Sequence, residues 1–146
     1  MKFEIKDLSV QHFPELLKLF QEFATFEKTP EKMINTVDRM KREQDFINGF
    51  IAFNGHGAII AYATYFFAYH TWVGKCIYMD DLYVTQPVRG HGLGSELIAR
   101  TVQTGKNNHC REMRWQVSRW NEPAIAFYQK LGAVIDDVEM NCKLVL

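Results

Sequence analysis

The chain has 146 residues, 47% hydrophobic and 23% charged, which suits a single globular domain over residues 1–146. Lys plus Arg and Asp plus Glu stand at 17 each, so no global field draws the protein to nucleic acid or an anionic membrane, and any selectivity for charge must be local. The longest apolar-rich stretch, residues 58–69, is too short and too polar to span a bilayer, and the start lacks a signal-type apolar segment, so a cytoplasmic location is expected.

Phe3 and Ile5 alternate with charged neighbours as in a short edge strand. Phe13, Leu16, Leu17, Phe20 and Phe23 then recur at helical spacing, with Pro14 in the first turn, predicting a helix over about residues 11–25. Thr29-Pro30-Glu31 reads as the start of a second helix: a capping hydroxyl, a proline at the first helical position and an acid near the positive dipole end. Met33, Ile34, Val37 and Met40 would be its apolar stripe. Residues 50–53 and 58–67 are strand-like and joined by Asn54-Gly55-His56-Gly57, a hairpin signal. Residues 77–85 predict a strand, 93–104 a helix, 113–117 a strand, and 123–130 a helix stopped at Gly132. The tail, residues 133–146, is expected to close the sheet. The order β-α-α-β-β-β-α-β-α-β implies an α/β fold, a mixed, mostly antiparallel central sheet with helices on both faces.

The segment Gln86-Pro87-Val88-Arg89-Gly90-His91-Gly92-Leu93-Gly94-Ser95 lies between a predicted strand and a predicted helix. Glycines let the main chain approach a ligand at positive φ, and the unpaired N–H groups of a first helical turn favour phosphate oxygens. From Gly90 the sixth position of a dinucleotide fingerprint is Ser95, not glycine, and no Gly-Lys-Ser/Thr follows for a nucleoside-triphosphate loop. Cys76, Cys110 and Cys142 are isolated and suggest neither a disulfide framework nor a zinc site. His12, His56 and His109 have no partners at metal spacing, so no metal is expected. Cys110 beside His109 is not a dyad by adjacency alone.

Together with that loop, Phe66 to Lys75, Tyr78-Met79-Asp80-Asp81-Leu82-Tyr83-Val84, Trp120-Asn121-Glu122-Pro123 and Phe127-Tyr128-Gln129-Lys130-Leu131-Gly132-Ala133 occur in the order seen in the diamine and thialysine branch of the GCN5-related N-acetyltransferases (GNAT). The chain resembles that branch closely over residues 60–133 and loosely before. The resemblance implies the GNAT fold and acetyl-CoA as cosubstrate. Leu82, Tyr83 and Val84 would pair their backbone with the pantetheine arm. Arg89, Gly90, His91, Gly92, Leu93, Gly94 and Ser95 would form the pyrophosphate loop, with Asn121 and Ala124 near the thiol. It also implies a homodimer.

Acetyl transfer needs a neutral amine, yet an alkylammonium of pKa about 10.4 is neutral in fewer than about one molecule per thousand at pH 7, a deficit of about 4 to 5 kcal/mol. A base must help, and the leaving thiolate needs a proton. The resemblance implies Tyr128 as general acid, Asp80 as base by way of water, and Phe26, Glu27, Trp72 and Asp81 as contacts to a cationic substrate. Strict strand alternation would send Asp80 and Asp81 to opposite faces, unless a bulge intervenes. His70-Thr71-Trp72 departs from the diamine enzymes, which have an acid and a proline before this tryptophan, and the tail lacks their late tryptophan; both losses weaken the case for a long polyamine. The expectation is direct ternary-complex transfer to a short diamine, polyamine or thialysine-like amino acid. Alternatives are a protein or peptide N-acetyltransferase, and a non-catalytic acyl-CoA-binding module.

Overall fold

The computed structural model describes residues 1–146, which divide into two compact units, Met1–Trp115 and Gln116–Leu146. The first unit holds five strands, β1 (Phe3–Asp7), β2 (Asn48–Asn54), β3 (Ile59–His70), β4 (Gly74–Val84) and β5 (Met113–Arg114), and three helices, α1 (Phe13–Phe26), α2 (Val37–Arg42) and α3 (Leu93–Asn107). The sheet order is β1-β2-β3-β4-β5; β1 to β4 are antiparallel to their neighbours and β5 runs parallel to β4.

Strand alternation gives this sheet two cores. On one face Ile51, Tyr62 and Tyr83 pack with Phe13, Leu16 and Leu19 of α1 and Met40 of α2. On the other, Phe50, Ala52, Ala61 and Ala63 meet Leu93 and Leu97 of α3. Small residues on this second face allow a close approach, since a Cβ on Gly105 would lie 2.8 Å from Ile77 Cγ2. Truncating the fully buried Leu16 or Leu97 to alanine costs about 2 to 5 kcal/mol, from lost transfer energy and the cavity left behind.

The β2–β3 hairpin forms where the sequence indicates: Asn54 Oδ1 accepts from the N–H groups of His56 and Ala58, and Gly57 takes φ 81°. The second helix starts later than Thr29 implies. Pro30–Lys32 makes only a single 3-10 turn, and Thr36 caps α2 by accepting from Arg39 N–H at 3.2 Å. Ile34 is consequently exposed rather than part of an apolar stripe. β5 is two residues long, because its ladder with β4 ends at the Tyr78↔Arg114 pair. From Met79 to Val84 that edge of β4 has no strand beside it.

In the second unit α4 (Glu122–Lys130) begins at Asn121, whose Oδ1 accepts from Ala124 N–H at 3.3 Å. It ends at Gly132 (φ 92°), where Gly132 N–H reaches Gln129 O and Ala133 N–H reaches Tyr128 O, the paired bonds of a Schellman stop. The expected closing strand is absent: residues 133–146 form no ladder. The tail is tied instead by side chains, Arg119 to Asp137 at 2.8 Å and Gln116 to Asn141 at 2.7 Å, leaving Val134, Val138, Met140, Leu144 and Val145 exposed.

Candidate active site

The centre of β4 carries a bulge. Thr64 pairs with Asp81 but Tyr65 pairs with Met79, which makes Asp80 the extra residue. Adjacent residues that a regular strand would aim apart therefore both line one cavity of about 470 Å³. Aromatic walls come from Phe20 and Phe23 of α1, Phe46, and Tyr65 and Phe66 of β3; Glu27, at the C-terminal end of α1, adds a third carboxylate. An acid at that helix end opposes the macrodipole at a cost of about 0.3 to 1 kcal/mol, which an incoming cation would offset.

Asp81 is the more enclosed member of the pair. Burial first, then the negative charge of Asp80 and more weakly of Glu27, raise its pKa to about 6, while a hydrogen bond from Tyr62 Oη at 3.0 Å pulls the other way. Asp80 keeps contact with solvent, yet the surrounding wall still raises its pKa. Neither carboxylate is ion-paired with a lysine or arginine of the protein. Two acids held together without a cation favour an arriving ammonium. Lys32, from the turn after α1, is the cation lining the cavity and makes no salt bridge.

Beyond Val84 the chain makes one 3-10 turn, Gln86–Val88, and enters the glycine loop. Gly90 and Gly92 take φ 85° and 80°, and Gly92 is the N-cap of α3, with no side chain satisfying the first-turn donors. The N–H groups of Leu93, Gly94 and Ser95 thus lack helical acceptors. Leu93 gives its side chain to the core, so only its backbone is available at the loop, whereas His91 is exposed. Arg89 is turned elsewhere: its Nε donates to Val84 O at 2.8 Å, and its guanidinium lies over Phe26 and Tyr83, 4.6 and 5.6 Å from their centroids. Tyr83 Oη donates to Glu22 at 2.8 Å, and burial together with that carboxylate pushes its pKa up to about 12. Arg89 thus braces the strand end, and the Val84 carbonyl is already engaged once.

The structure brings Glu27, Asp80 and Asp81 together but not every expected substrate contact. Phe26 serves Arg89 and is not part of the cavity wall. Trp72 neither packs in the core nor lines the cavity; β3 runs on to His70, and the hairpin turn carries the indole into solvent, 99% exposed. His70 sits at the same distal end with Nε2 buried and unpartnered, so the substitution at this position does not act on the cavity directly. Asn121 and Ala124 are engaged with each other as the cap of α4, and Tyr128 is buried on that helix, its ring 5.4 Å from that of Phe127. Lys32, Phe20 and Tyr62 were not legible as site residues. Phe20 and Tyr62 were hidden inside ordinary apolar periodicity, although two-residue spacing on β3 puts Tyr62 and Thr64 on one face.

Residues 13–133 match the acetyltransferase (GNAT) family, and the chain belongs to it. It is therefore an N-acetyltransferase by family, of the branch that includes thialysine and diamine enzymes. Thialysine N-epsilon-acetyltransferase of Caenorhabditis elegans is 31% identical over 134 residues, 90% of this chain and 83% of that protein. Spermidine/spermine N(1)-acetyltransferase-like protein 1 of Homo sapiens is 30% identical over 142 residues, 90% of this chain but 20% of that longer protein. An aminoglycoside N-acetyltransferase solved in complex with CoA superposes with a TM-score of 0.77 at 20% identity, covering 97% of this chain and 95% of that one, a likeness of fold. No helix is long and apolar enough to cross a membrane.

Proposed function

We propose that this protein transfers the acetyl group of acetyl-CoA to a primary amine of a small cationic molecule, a short diamine, polyamine or thialysine-like amino acid, within a ternary complex. The observation that carries the reading is the bulge that turns Asp80 and Asp81 into one aromatic-walled cavity, on the same strand that leads into the glycine loop. The cosubstrate's pyrophosphate would sit on the donors of residues 90–95, and its pantetheine arm along the strandless edge of β4 at Leu82, Tyr83 and Val84. The aromatic-walled cavity is acidic enough to hold an ammonium, each contact contributing about 1.5 to 3 kcal/mol where water is partly excluded.

The division of labour follows from exposure. Asp81, enclosed, contacts the ammonium; Asp80, open to solvent, receives its proton through water. The neutral amine attacks the thioester carbonyl, a C–N bond forms as the C–S bond breaks, and Tyr128 protonates the departing thiolate. Asn121 and Ala124 border the thiol end. Residues 1–146 act as one catalytic domain, consistent with a family match over residues 13–133 that extends into both compact units; the exposed apolar tail suits a homodimer, and the location is cytoplasmic.

Release of free thiol from acetyl-CoA, measured against a panel of diamines, polyamines, lysine-like amino acids and peptides, tests the reading. Turnover with small cationic amines is the expected result. Turnover confined to peptides would favour a protein acetyltransferase, and coenzyme binding without turnover a binding module.

A further inference from the structure

The cavity depends on a side chain outside it. Tyr62 is fully buried among Phe20, Tyr83 and the α1 core, its ring 5.1 Å from that of Phe20 and 6.2 Å from that of Tyr83. Its hydroxyl, the one polar atom of the side chain, donates to Asp81 Oδ2. The sheet register explains the reach: Asp81 faces Thr64, and Tyr62 is the diagonal neighbour two residues along β3 on the same face. A phenolic hydroxyl in such a core must be satisfied, and a carboxylate can only accept from it.

We propose that Tyr62 is a positioning residue, which fixes the Asp81 carboxylate toward the cavity and keeps it ionised so that the pocket takes its cation at neutral pH. This rests on the acetyltransferase reading above. The groups facing Asp81 make the bond consequential. Asp80 beside it on β4 and Glu27 on α1 both disfavour its charge, Lys32 lines the same cavity, and Tyr65 stands on β3. Glu22 is bound by Tyr83, and that tyrosine's own proton is held firmly. Among these, the Tyr62 hydroxyl is the donor in hydrogen-bonding contact with Asp81. Its own ionisation is far from neutral pH, because burial and Asp81 both raise its pKa, so it acts as a permanent donor.

Tyr62→Phe deletes that donor with little change of shape. Loss of a hydrogen bond that favours the charged form should move the acid limb of kcat/KM for the amine up by about one pH unit. A shift of about one unit lowers kcat/KM about threefold near pH 6.5 and about eightfold near pH 5.5, with less than about twofold change above pH 8.5. The loss should fall on KM, with kcat at saturating amine nearly unchanged, since the bond serves cation docking. In an Asp81→Asn background the same substitution should move nothing. In parallel, carbon-13 NMR titration of the aspartate carboxyls in free enzyme, assigned through Asp81→Asn, should show the Asp81 titration moving upward in Tyr62→Phe. That titration needs no amine, so it tests the pairing even if no acceptor is turned over, a result that would sink the acetyltransferase reading instead. An unmoved Asp81 titration, an acid limb that stays put, or a shift that survives Asp81→Asn overturns the proposal.

Discussion

The middle of β4 and the loop that follows it suit opposite charges, and they are built by different means. The loop offers backbone N–H groups fixed by positive φ at Gly90 and Gly92 and by the start of α3. The middle of the strand offers side chains, Asp80 and Asp81, brought together by a bulge and enclosed by α1 and β3. Backbone N–H groups do not ionise, whereas the carboxylate cavity changes with pH, since burial and Asp80 raise the Asp81 pKa to about 6. Under the proposed function, β4 and the loop after it would thus pair backbone donors for an anion with a pH-sensitive acidic cavity for a cation.

The largest expected effect belongs to neither site. Tyr128→Phe should lower turnover by about 10² to 10⁴-fold, the usual contribution of a general acid, with coenzyme and amine affinities nearly unchanged. Single-turnover kinetics beside direct binding measurements check this, and a variant retaining more than half of the turnover removes Tyr128 from the chemistry.

The loop is tested by two glycines that differ in backbone. Gly92 needs φ 80°, and a Cβ there meets nothing within 4 Å, so the barrier to a side chain is conformational. Gly92→Val should cost about 1 to 3 kcal/mol in strain, or about 5- to 150-fold in coenzyme affinity if the loop relaxes out of shape. Gly94 is helical, and a Cβ there lies at an ordinary 3.8 Å from Val84 Cγ2. Gly94→Ala should therefore fold at least as well, and a loss of coenzyme affinity in it reports the ligand's own closeness. Titration calorimetry with CoA reads both, and unchanged affinity in folded Gly92→Val contradicts the anion site.

The cation site has a cost in stability. Because Asp81 has a higher pKa folded than unfolded, its ionisation disfavours the fold: the term is absent below the ordinary carboxylate range and grows as pH rises through about 6. Asp81→Asn should stabilise the free protein by about 1 to 3 kcal/mol at pH 8 and by little at pH 4, while amine turnover falls. Thermal denaturation at both pH values measures it; equal effects at the two would mean that the carboxylate is not strained by charge.

The contrast between the sites also explains what the sequence disclosed. Backbone geometry is written locally, so the glycine turn from Gly90 into α3 is readable from glycine spacing between a strand and a helix, as are the Asn54–Gly57 hairpin and the Gly132 stop. A side-chain site depends on partners far away in sequence. The acids were visible, but the bulge that unites them is a register shift between β3 and β4, with no local mark. Trp72 illustrates the converse, since the family resemblance implies a cation contact while strand length decides that it ends in solvent. Thr29-Pro30-Glu31 has every feature of a helix start, yet the helix waits for Thr36. The tail, expected to close the sheet, forms no ladder and is held by side-chain bonds instead.

The smallest effect concerns which amine fits. The distal position of His70 moves the question of specificity to Lys32, the positive group that shares the cavity with Glu27, Asp80 and Asp81. A lysine-like amino acid carries a carboxylate that this ammonium can meet, and a diamine of equal length does not. Because Lys32 is exposed, the contact is screened and contributes about 0.2 to 1 kcal/mol, or about 1.5- to 5-fold. Lys32→Gln should lower kcat/KM for the amino acid by that factor and leave the diamine unchanged or slightly improved, as a repelling charge is removed from its path. The ratio of the two specificity constants is the measurement, since it cancels any general loss of activity. Should both substrates change in parallel, Lys32 does not read the carboxylate, and the acidic, pH-sensitive half of the site alone selects the amine.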